Sequence, residues 1–447
     1  MALLTAPAPA RTVQRPPAAR VGRGRRLVAR ARSTPGRLTS LMLALLAIGL
    51  ATGVAGLVGS VQRSSLVDEV RTRSGPLAVQ AQELYRSLSD ADAAAASAFL
   101  SGGVEPPQLR DRYQADIAAA SAALAAAAAG TDSDLPALRQ LSAQLPVYTG
   151  LVETARAYNR LGLPVGAAYL GEASGLMRGQ LLPAAQQLYR FETDRLAADR
   201  GGASAVPWLA LLLGLVTLAG LVWAQLRLSR QTHRTLNVGL VAATLAGLVM
   251  VSWVGTAWVA AASQLHASNR EGSAQVELLA GARIAALQAR ADEALTLVAR
   301  GTGEVFEKDF TAQLTTLAGP GGTSGVLSRA RAAATDPAVR SVLDSAVAEV
   351  RSWRTVHQKL RELDDGGSYG EAVKLAIDAD TGSTASIFNR VDAALGKTIT
   401  LTSSAFDRRA ARAAGALGGE SAAIVVLTIL LLAGVAVGFQ QRIAEYR

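Results

Sequence analysis

The sequence predicts an all-α membrane protein with four transmembrane helices and two tandem extracytoplasmic four-helix bundles. Three observations carry this prediction: four long uncharged apolar runs, arginines in the short segments beside them, and helical spacing of apolar residues in the two long segments between them. Each run exceeds the roughly 20 residues that a helix needs to cross the hydrocarbon core of a bilayer. A charge at a helix centre costs about 2.5 to 3.5 kcal/mol on insertion, so charge-free runs of this length indicate membrane spans.

The runs divide the chain into nine parts. We expect a basic cytoplasmic leader at 1–37, transmembrane helix 1 at 38–62, the first bundle at 63–206, transmembrane helix 2 at 207–226, a cytoplasmic loop at 227–235, transmembrane helix 3 at 236–262, the second bundle at 263–420, transmembrane helix 4 at 421–439 and a cytoplasmic tail at 440–447.

The distribution of arginine predicts the orientation. The leader contains nine arginines before the first acidic residue, Asp68, and the middle loop contains Arg227, Arg230 and Arg234 without an acid. Short basic segments beside spans stay in the cytoplasm, which places both termini inside the cell and both bundles outside. A cleaved signal peptide is the alternative for the first run, but its apolar stretch is longer than the roughly 7 to 15 residues of a signal core.

Both long segments show the 3/4 spacing of apolar residues that is typical of packed helices. Three turns rich in glycine and proline divide each segment into four predicted helices, and we expect the first and last of these to continue from and into the membrane spans. Pro146 and Pro183 fall inside helical patterns, where proline kinks or interrupts a helix. The predicted turns are 102–107, 130–136 and 162–166 in the first segment, and 301–303, 319–325 and 364–370 in the second.

The two halves of the chain share a layout that indicates internal duplication. Asp92 and Asp292 both follow an alanine on the helical seam, two hundred positions apart, and Gly103 and Gly303 follow them at equal distances. Two interpretations of the aspartates are open. They are either solvated carboxylates that flank the seam, or residues that face an extracytoplasmic ligand or partner.

Composition argues against catalytic chemistry. The chain has no cysteine and only three histidines, far apart in sequence, and it lacks the spacing of a metal site, a phosphate-binding loop or a nucleophile elbow. We therefore expect no enzyme activity, no metal and no cofactor. The net charge of +10 is concentrated in the leader, which predicts contact with the anionic inner leaflet rather than with nucleic acid.

Two stretches resemble known sensors. Residues 88–103 are similar to the first helix and turn of chemoreceptor-type four-helix-bundle sensor domains. Residues 298–310, together with the plan of four spans and two bundles, resemble the actinobacterial membrane sensors that link a glutamine-type solute-binding lipoprotein to protein kinase G. Unlike ordinary chemoreceptors, the chain has no cytoplasmic signalling coiled coil after either bundle. The resemblance implies a relay without its own output enzyme, located in the plasma membrane and responding to amino-acid availability.

The expected function is therefore a non-enzymatic sensor or adaptor. A solute-binding protein would dock at the turns farthest from the membrane, where Glu105, Asp364 and Asp365 are candidate polar contacts. A cytoplasmic Ser/Thr protein kinase would meet Arg227, Arg230 and Arg234, whose simpler role is to fix topology. A chemoreceptor-like domain that binds a small molecule directly, and an accessory subunit of a transporter, are the alternatives.

Overall fold

The computed structural model describes residues 34–130, 135–203, 206, 208–232, 237–268, 274–321, 323–417 and 419–444. Nearly all of these residues are helical and none of them lies in a strand, which confirms the all-α prediction. The chain divides into a membrane unit (1–57, 208–254 and 421–447) and a bundle unit (58–207 and 255–420).

The helices follow the order predicted from the breakers, with additional interruptions. In the described residues they are α1 (Thr34–Glu69), α2 (Gly75–Leu100), α3 (Pro107–Gly130), α4 (Pro136–Arg160), α5 (Val165–Leu176), α6 (Leu182–Ala203), α7 (Trp208–Thr232), α8 (Val238–Ser268), α9 (Ala274–Val298), α10 (Glu304–Ala318), α11 (Val326–Ala333), α12 (Pro337–Asp365), α13 (Tyr369–Ile377), α14 (Thr384–Leu417) and α15 (Glu420–Ala444). A first π-turn (Val70–Ser74) joins α1 to α2, and a second π-turn (Met177–Leu181) joins α5 to α6.

The membrane unit is built from α1, α7, α8 and α15, each of which contains a stretch long and apolar enough to cross a membrane. The protein is therefore a multi-pass membrane protein. Close packing in this unit depends on small residues, because a Cβ added to Gly239 of α8 would lie 2.6 Å from the backbone nitrogen of Gly438 in α15. The Asn237 side-chain amide also donates to the Gly438 carbonyl at 2.8 Å.

Two helix ends lie close to the predicted boundaries of the spans. Helix α7 continues to Thr232, so Arg227 and Arg230 lie on its last turns rather than in a loop. We expected the bundle helices to continue directly from and into the spans. Helix continuity does run from Leu38 through Leu100, but Gly419, with a φ of +94°, separates α14 from α15 because a left-handed residue ends a helix.

The first half of the bundle unit contains the predicted four helical arms: α2, α3, α4, and α5 with α6. The seam predicted on α4 is buried, with Leu141 and Tyr148 at its centre. Helix α4 continues through Pro146, whereas the helix that contains Pro183 is interrupted by the second π-turn just before it. Residues 131–134, inside the predicted turn 130–136, lie outside the described residues.

The second half contains more breaks between helices than the three predicted turns. A break between α11 and α12 is fixed by Asp336, whose carboxylate accepts a hydrogen bond from the Ala338 N–H at 2.8 Å and caps the helix that Pro337 begins. A further break between α13 and α14 ends at Ser383. The core of this half is packed around Phe310, Trp353 and Phe388.

The two bundles form one compact unit rather than two separate domains. Helices α2 and α9 lie at its centre, and residues 87–98 of α2 and 289–298 of α9 are buried on every face. Many of these residues are alanines, whose small side chains allow close approach of helices. The duplicated first helices of the two halves therefore pack against each other.

Candidate functional site between the two halves

Asp92 and Asp292 meet a single arginine at the contact between the two halves. Arg178, in the second π-turn, places Nη1 2.5 Å from Asp292 Oδ1 and 3.5 Å from Asp309 Oδ2. Its guanidinium also lies over the Phe306 ring, 5.0 Å from the ring centroid. Asp292, Asp309 and Phe306 belong to the second half and Arg178 to the first, so this side chain connects the duplicated units.

Asp92 approaches the same arginine from the first half and is held by two hydroxyl groups. Ser174 Oγ donates to Asp92 Oδ1 at 2.7 Å, and the Tyr148 hydroxyl donates to the same oxygen at 3.3 Å. Asp92 is 3% exposed and Asp292 is 2% exposed. The interpretation of these residues as solvated carboxylates is therefore wrong.

Burial raises the pKa of both aspartates. Desolvation raises the pKa of Asp292 to about 7, although the nearby charge of Arg178 opposes the shift. Desolvation also raises the pKa of Asp92, against the opposing effects of Arg178, Ser174 and Tyr148. Removing a carboxylate from water favours its neutral form, and one guanidinium compensates this cost only in part.

A second arginine connects the halves through α3 and α14. Arg112 Nε donates to Asp90 Oδ1 at 2.7 Å, and Arg112 Nη2 lies 3.5 Å from Asp392 Oδ2. Asp392 also accepts from Arg283 Nε of α9 at 2.6 Å. Both connections thus pair an arginine of the first half with an aspartate of the second.

The predicted turns do meet at one end of the bundle unit. The Asn159 amide donates to the Phe99 carbonyl at 2.9 Å, which holds the turn after α2 beside the turn after α4. In the second half, the Arg300 guanidinium lies 4.7 Å from the centroid of the Tyr369 ring. Leu100 of the first half packs against the cluster around Leu297, so both sets of turns lie at the same end.

This end carries exposed apolar side chains. Val104 is 87% exposed and Leu161 is 70% exposed, and Leu163 and Val165 are exposed beside them in the chain. We call these four residues the end patch. Exposed apolar patches are common at interaction sites, which makes the end patch a candidate docking surface.

The acidic residues predicted to make polar contacts at this end differ in availability. The Glu105 side chain is 7% exposed and pairs with Arg156 at 3.0 Å, and the Asp364 side chain is 8% exposed and pairs with Arg361. Asp365 also pairs with Arg361, yet its side chain remains 68% exposed. Of the three, Asp365 is the one that a partner could contact without rearrangement.

The three predicted cytoplasmic contacts lie at the end of α7 or beyond it. Arg227 and Arg230 are exposed, and the Arg227 guanidinium lies 5.3 Å from the centroid of the Trp223 ring. Arg234 lies outside the described residues.

The sequence identified the two aspartates through the repeat but not the arginine between them. Arg178 lies 86 positions from Asp92 and 114 from Asp292, and no repeated motif surrounds it. Only the packing of α5 and the second π-turn against α2 and α9 brings it to the pair.

The comparisons with known proteins support a sensing role for the first half. A family model of the actinobacterial sensor domain matches residues 66–201, which extend from the end of α1 into α6. Searches of curated proteins and of solved structures found no match.

Proposed function

We propose that the protein is a non-enzymatic transmembrane sensor that relays extracytoplasmic amino-acid availability, through a solute-binding protein, to a cytoplasmic Ser/Thr protein kinase. The sensor-domain match of residues 66–201 carries this proposal. It is supported by the helical path from Leu38 to Leu100, in which the first π-turn joins α1 to α2. The identities of the ligand class and the two partners come from the family resemblance.

The solute-binding protein would dock on the end patch. Val104 and Leu161 present apolar surface on two neighbouring turns, and burial of such surface is worth roughly 25 cal/mol per Å². Asp365 would add a polar contact at the edge, while Glu105 and Asp364 would hold their own turns through arginine pairs. Docking at this end would affect both halves because Leu100 of the first half packs against the cluster around Leu297 in the second half.

Transmission would use the central helix α2. A shift of α2 by about 1 to 2 Å, typical of signalling helices, would pass through the first π-turn to the apolar stretch of α1. The cytoplasmic response would be a changed presentation of Arg227, Arg230 and Arg234 to the kinase. This step also requires the orientation predicted from the arginine-rich segments.

Affinity capture with matched variants tests the docking proposal. Tagged protein, solubilised in mild detergent from membranes of the producing organism, is used as bait and the captured proteins are identified by mass spectrometry. We expect the wild type to recover a solute-binding lipoprotein and a Ser/Thr kinase. Val104→Asp with Leu161→Asp should lose the lipoprotein and retain the kinase, because charge on the end patch opposes burial there.

Val79→Asp is the control for these substitutions. Val79 is 62% exposed and lies near the opposite end of α2, so its substitution adds the same charge away from the end patch and should not affect capture. Recovery of neither partner by the wild type would contradict the proposed relay. Equal loss of the lipoprotein in the control would contradict docking at the end patch.

A further inference from the structure

The site around Arg178 buries two carboxylates, and both feel the charge of the same guanidinium. Asp92 and Asp292 are both almost fully buried, and Arg178 is the cation that acts on both. Two buried carboxylates facing one guanidinium cannot both be ionised without a large desolvation cost. The pair therefore keeps one proton under conditions in which exposed aspartates have lost theirs.

We propose that Asp92 and Asp292 form a proton-binding site that holds the two halves of the bundle unit together when it is occupied. The ligand of this site is the proton, and the sensor thereby responds to the acidity of the compartment that surrounds its bundles. This response is a property of the chain itself and does not depend on the partners proposed above.

The groups that face the pair come from every helix packed around it. The second π-turn contributes Arg178, α10 contributes Asp309, and α5 contributes Ser174. Helix α4 contributes Tyr148, whose hydroxyl donates to Asp92.

A second layer of groups surrounds these contacts. Burial is the largest cause of the raised pKa of Tyr113 and of Tyr148, and the charge of Asp92 adds to both shifts. The Arg156 guanidinium lies over the Tyr113 ring, 4.2 Å from the centroid, and it is paired with Glu105 and Glu153. Its charge is therefore compensated already and does not supply the missing cation for the aspartate pair.

The direction of the pH response follows from linkage. An aspartate has a pKa near 3.8 in water, and the packed interface raises the pKa of Asp292 to about 7. The packed state therefore binds a proton more tightly than a state in which the interface is open and hydrated. Acidification favours the packed halves, and a rise in pH through about 7 favours their loosening.

Distance measurements in the full-length chain test this inference. The chain has no native cysteine, so Ala168→Cys on α5 and Ala312→Cys on α10, both exposed, can each carry one spin label. Pulsed electron paramagnetic resonance on the protein in lipid nanodiscs is recorded between pH 6 and pH 8. We expect one narrow distance distribution at pH 6 and a broader, longer one at pH 8.

Asp292→Asn mimics the protonated residue and should fold without difficulty. Its distribution at pH 8 should match that of the wild type at pH 6, and the transition should disappear. Asp309→Asn is the first control, because Asp309 faces the same arginine but its side chain is 50% exposed; this variant should keep the transition.

Asp116→Asn is the second control. Burial raises the pKa of Asp116 to about 7, so it titrates in the same range, but its ion pair is with Arg86 of the first half. This variant should also keep the transition. A wild-type distribution that is unchanged between pH 6 and pH 8, or a transition that survives in Asp292→Asn, would overturn the proposal.

Discussion

A buried histidine illustrates how single residues stabilise the second half. His357 Nδ1 lies 2.9 Å from Glu293 Oε1, and His357 Nε2 lies 3.1 Å from Glu307 Oε1. Burial by itself lowers the pKa of His357, but hydrogen bonds to the two glutamates outweigh burial and raise it to about 9. The imidazole is therefore charged at neutral pH and forms an ion pair with Glu293, which is fully buried.

Replacing His357 with glutamine should destabilise the protein in a pH-dependent way. Loss of one partner of a buried ion pair costs about 3 to 5 kcal/mol where the other charge is left alone, and we expect a smaller cost here because Arg290 stays 2.7 Å from Glu293. Because the folded pKa is raised above the unfolded value of 6.5, this stabilisation is fully present below pH 6.5 and is lost as the pH rises through about 9. Thermal unfolding of wild type and variant in nanodiscs should differ strongly at pH 6 and much less at pH 10.

Arg331→Gln provides the matched control for His357→Gln. Arg331 forms an ion pair with Asp344 on the surface, where both side chains are half exposed, and exposed pairs contribute little. The melting temperature of the Arg331→Gln variant should equal that of the wild type at pH 6 and at pH 10. A loss of stability in His357→Gln that is the same at pH 6 and pH 10 would exclude the charged form as its cause.

Sequence reasoning identified residues that repeat but not the partners that give them a role. The equal placement of Asp92 and Asp292 was visible in the sequence, whereas the role of His357 depends on Glu293 and Glu307, 64 and 50 positions away. Such groups become partners only through the fold. For the same reason the sequence could not predict that Glu105 would form an ion pair with Arg156.

At the scale of elements, both π-turns lie directly before a proline. The first ends at Ser74, two residues before Pro76, and the second ends at Leu181, two residues before Pro183. In the second π-turn the Leu182 N–H bonds to the Met177 carbonyl, five residues back. A π-turn holds one residue more than the α-helical path, and Arg178 lies within this turn.

A pair of single-residue deletions tests the register of this helix. Deleting Gly179, an exposed residue inside the second π-turn with open space around its Cβ position, should convert the turn to regular α-helix and keep α6 in register. Deleting Ala185, which is fully buried within α6, should rotate all later residues by about 100° and withdraw Leu188 from the core. Thermal unfolding followed by circular dichroism should show a small decrease in melting temperature for the Gly179 deletion and a large decrease for the Ala185 deletion. Equal losses would contradict the assignment of an extra residue to the π-turn.

Breakers predicted most of the helices because glycine and proline act locally. Pro183 did interrupt its helix, while Pro146 did not, since α4 continues through it. The break before α12 had a local signal in Asp336 and Pro337, the cap and first-turn residues of that helix. Our prediction missed it because helical spacing of apolar residues continues across the break.

At the scale of the whole molecule, the two predicted bundles form one compact unit. The sequence predicted two tandem bundles, but their packing along α2 and α9 depends on complementary surfaces that no local pattern reveals. Among the described residues, Arg178 joins the halves through Asp292 and Asp309, and Arg112 joins them through Asp392. In our proposal, a partner that docks on one half therefore acts on both.

The sensing role is tested most directly by deleting the gene in the producing organism and measuring two responses to added amino acid. Quantitative phosphoproteomics reports Ser/Thr kinase output, and uptake of labelled amino acid reports transport; restoring the wild-type gene is the control. We expect the deletion to abolish the phosphorylation response, leave uptake unchanged, and be rescued by the restored gene. Loss of uptake with an unchanged phosphorylation response would contradict the account and identify the protein as an accessory subunit of a transporter.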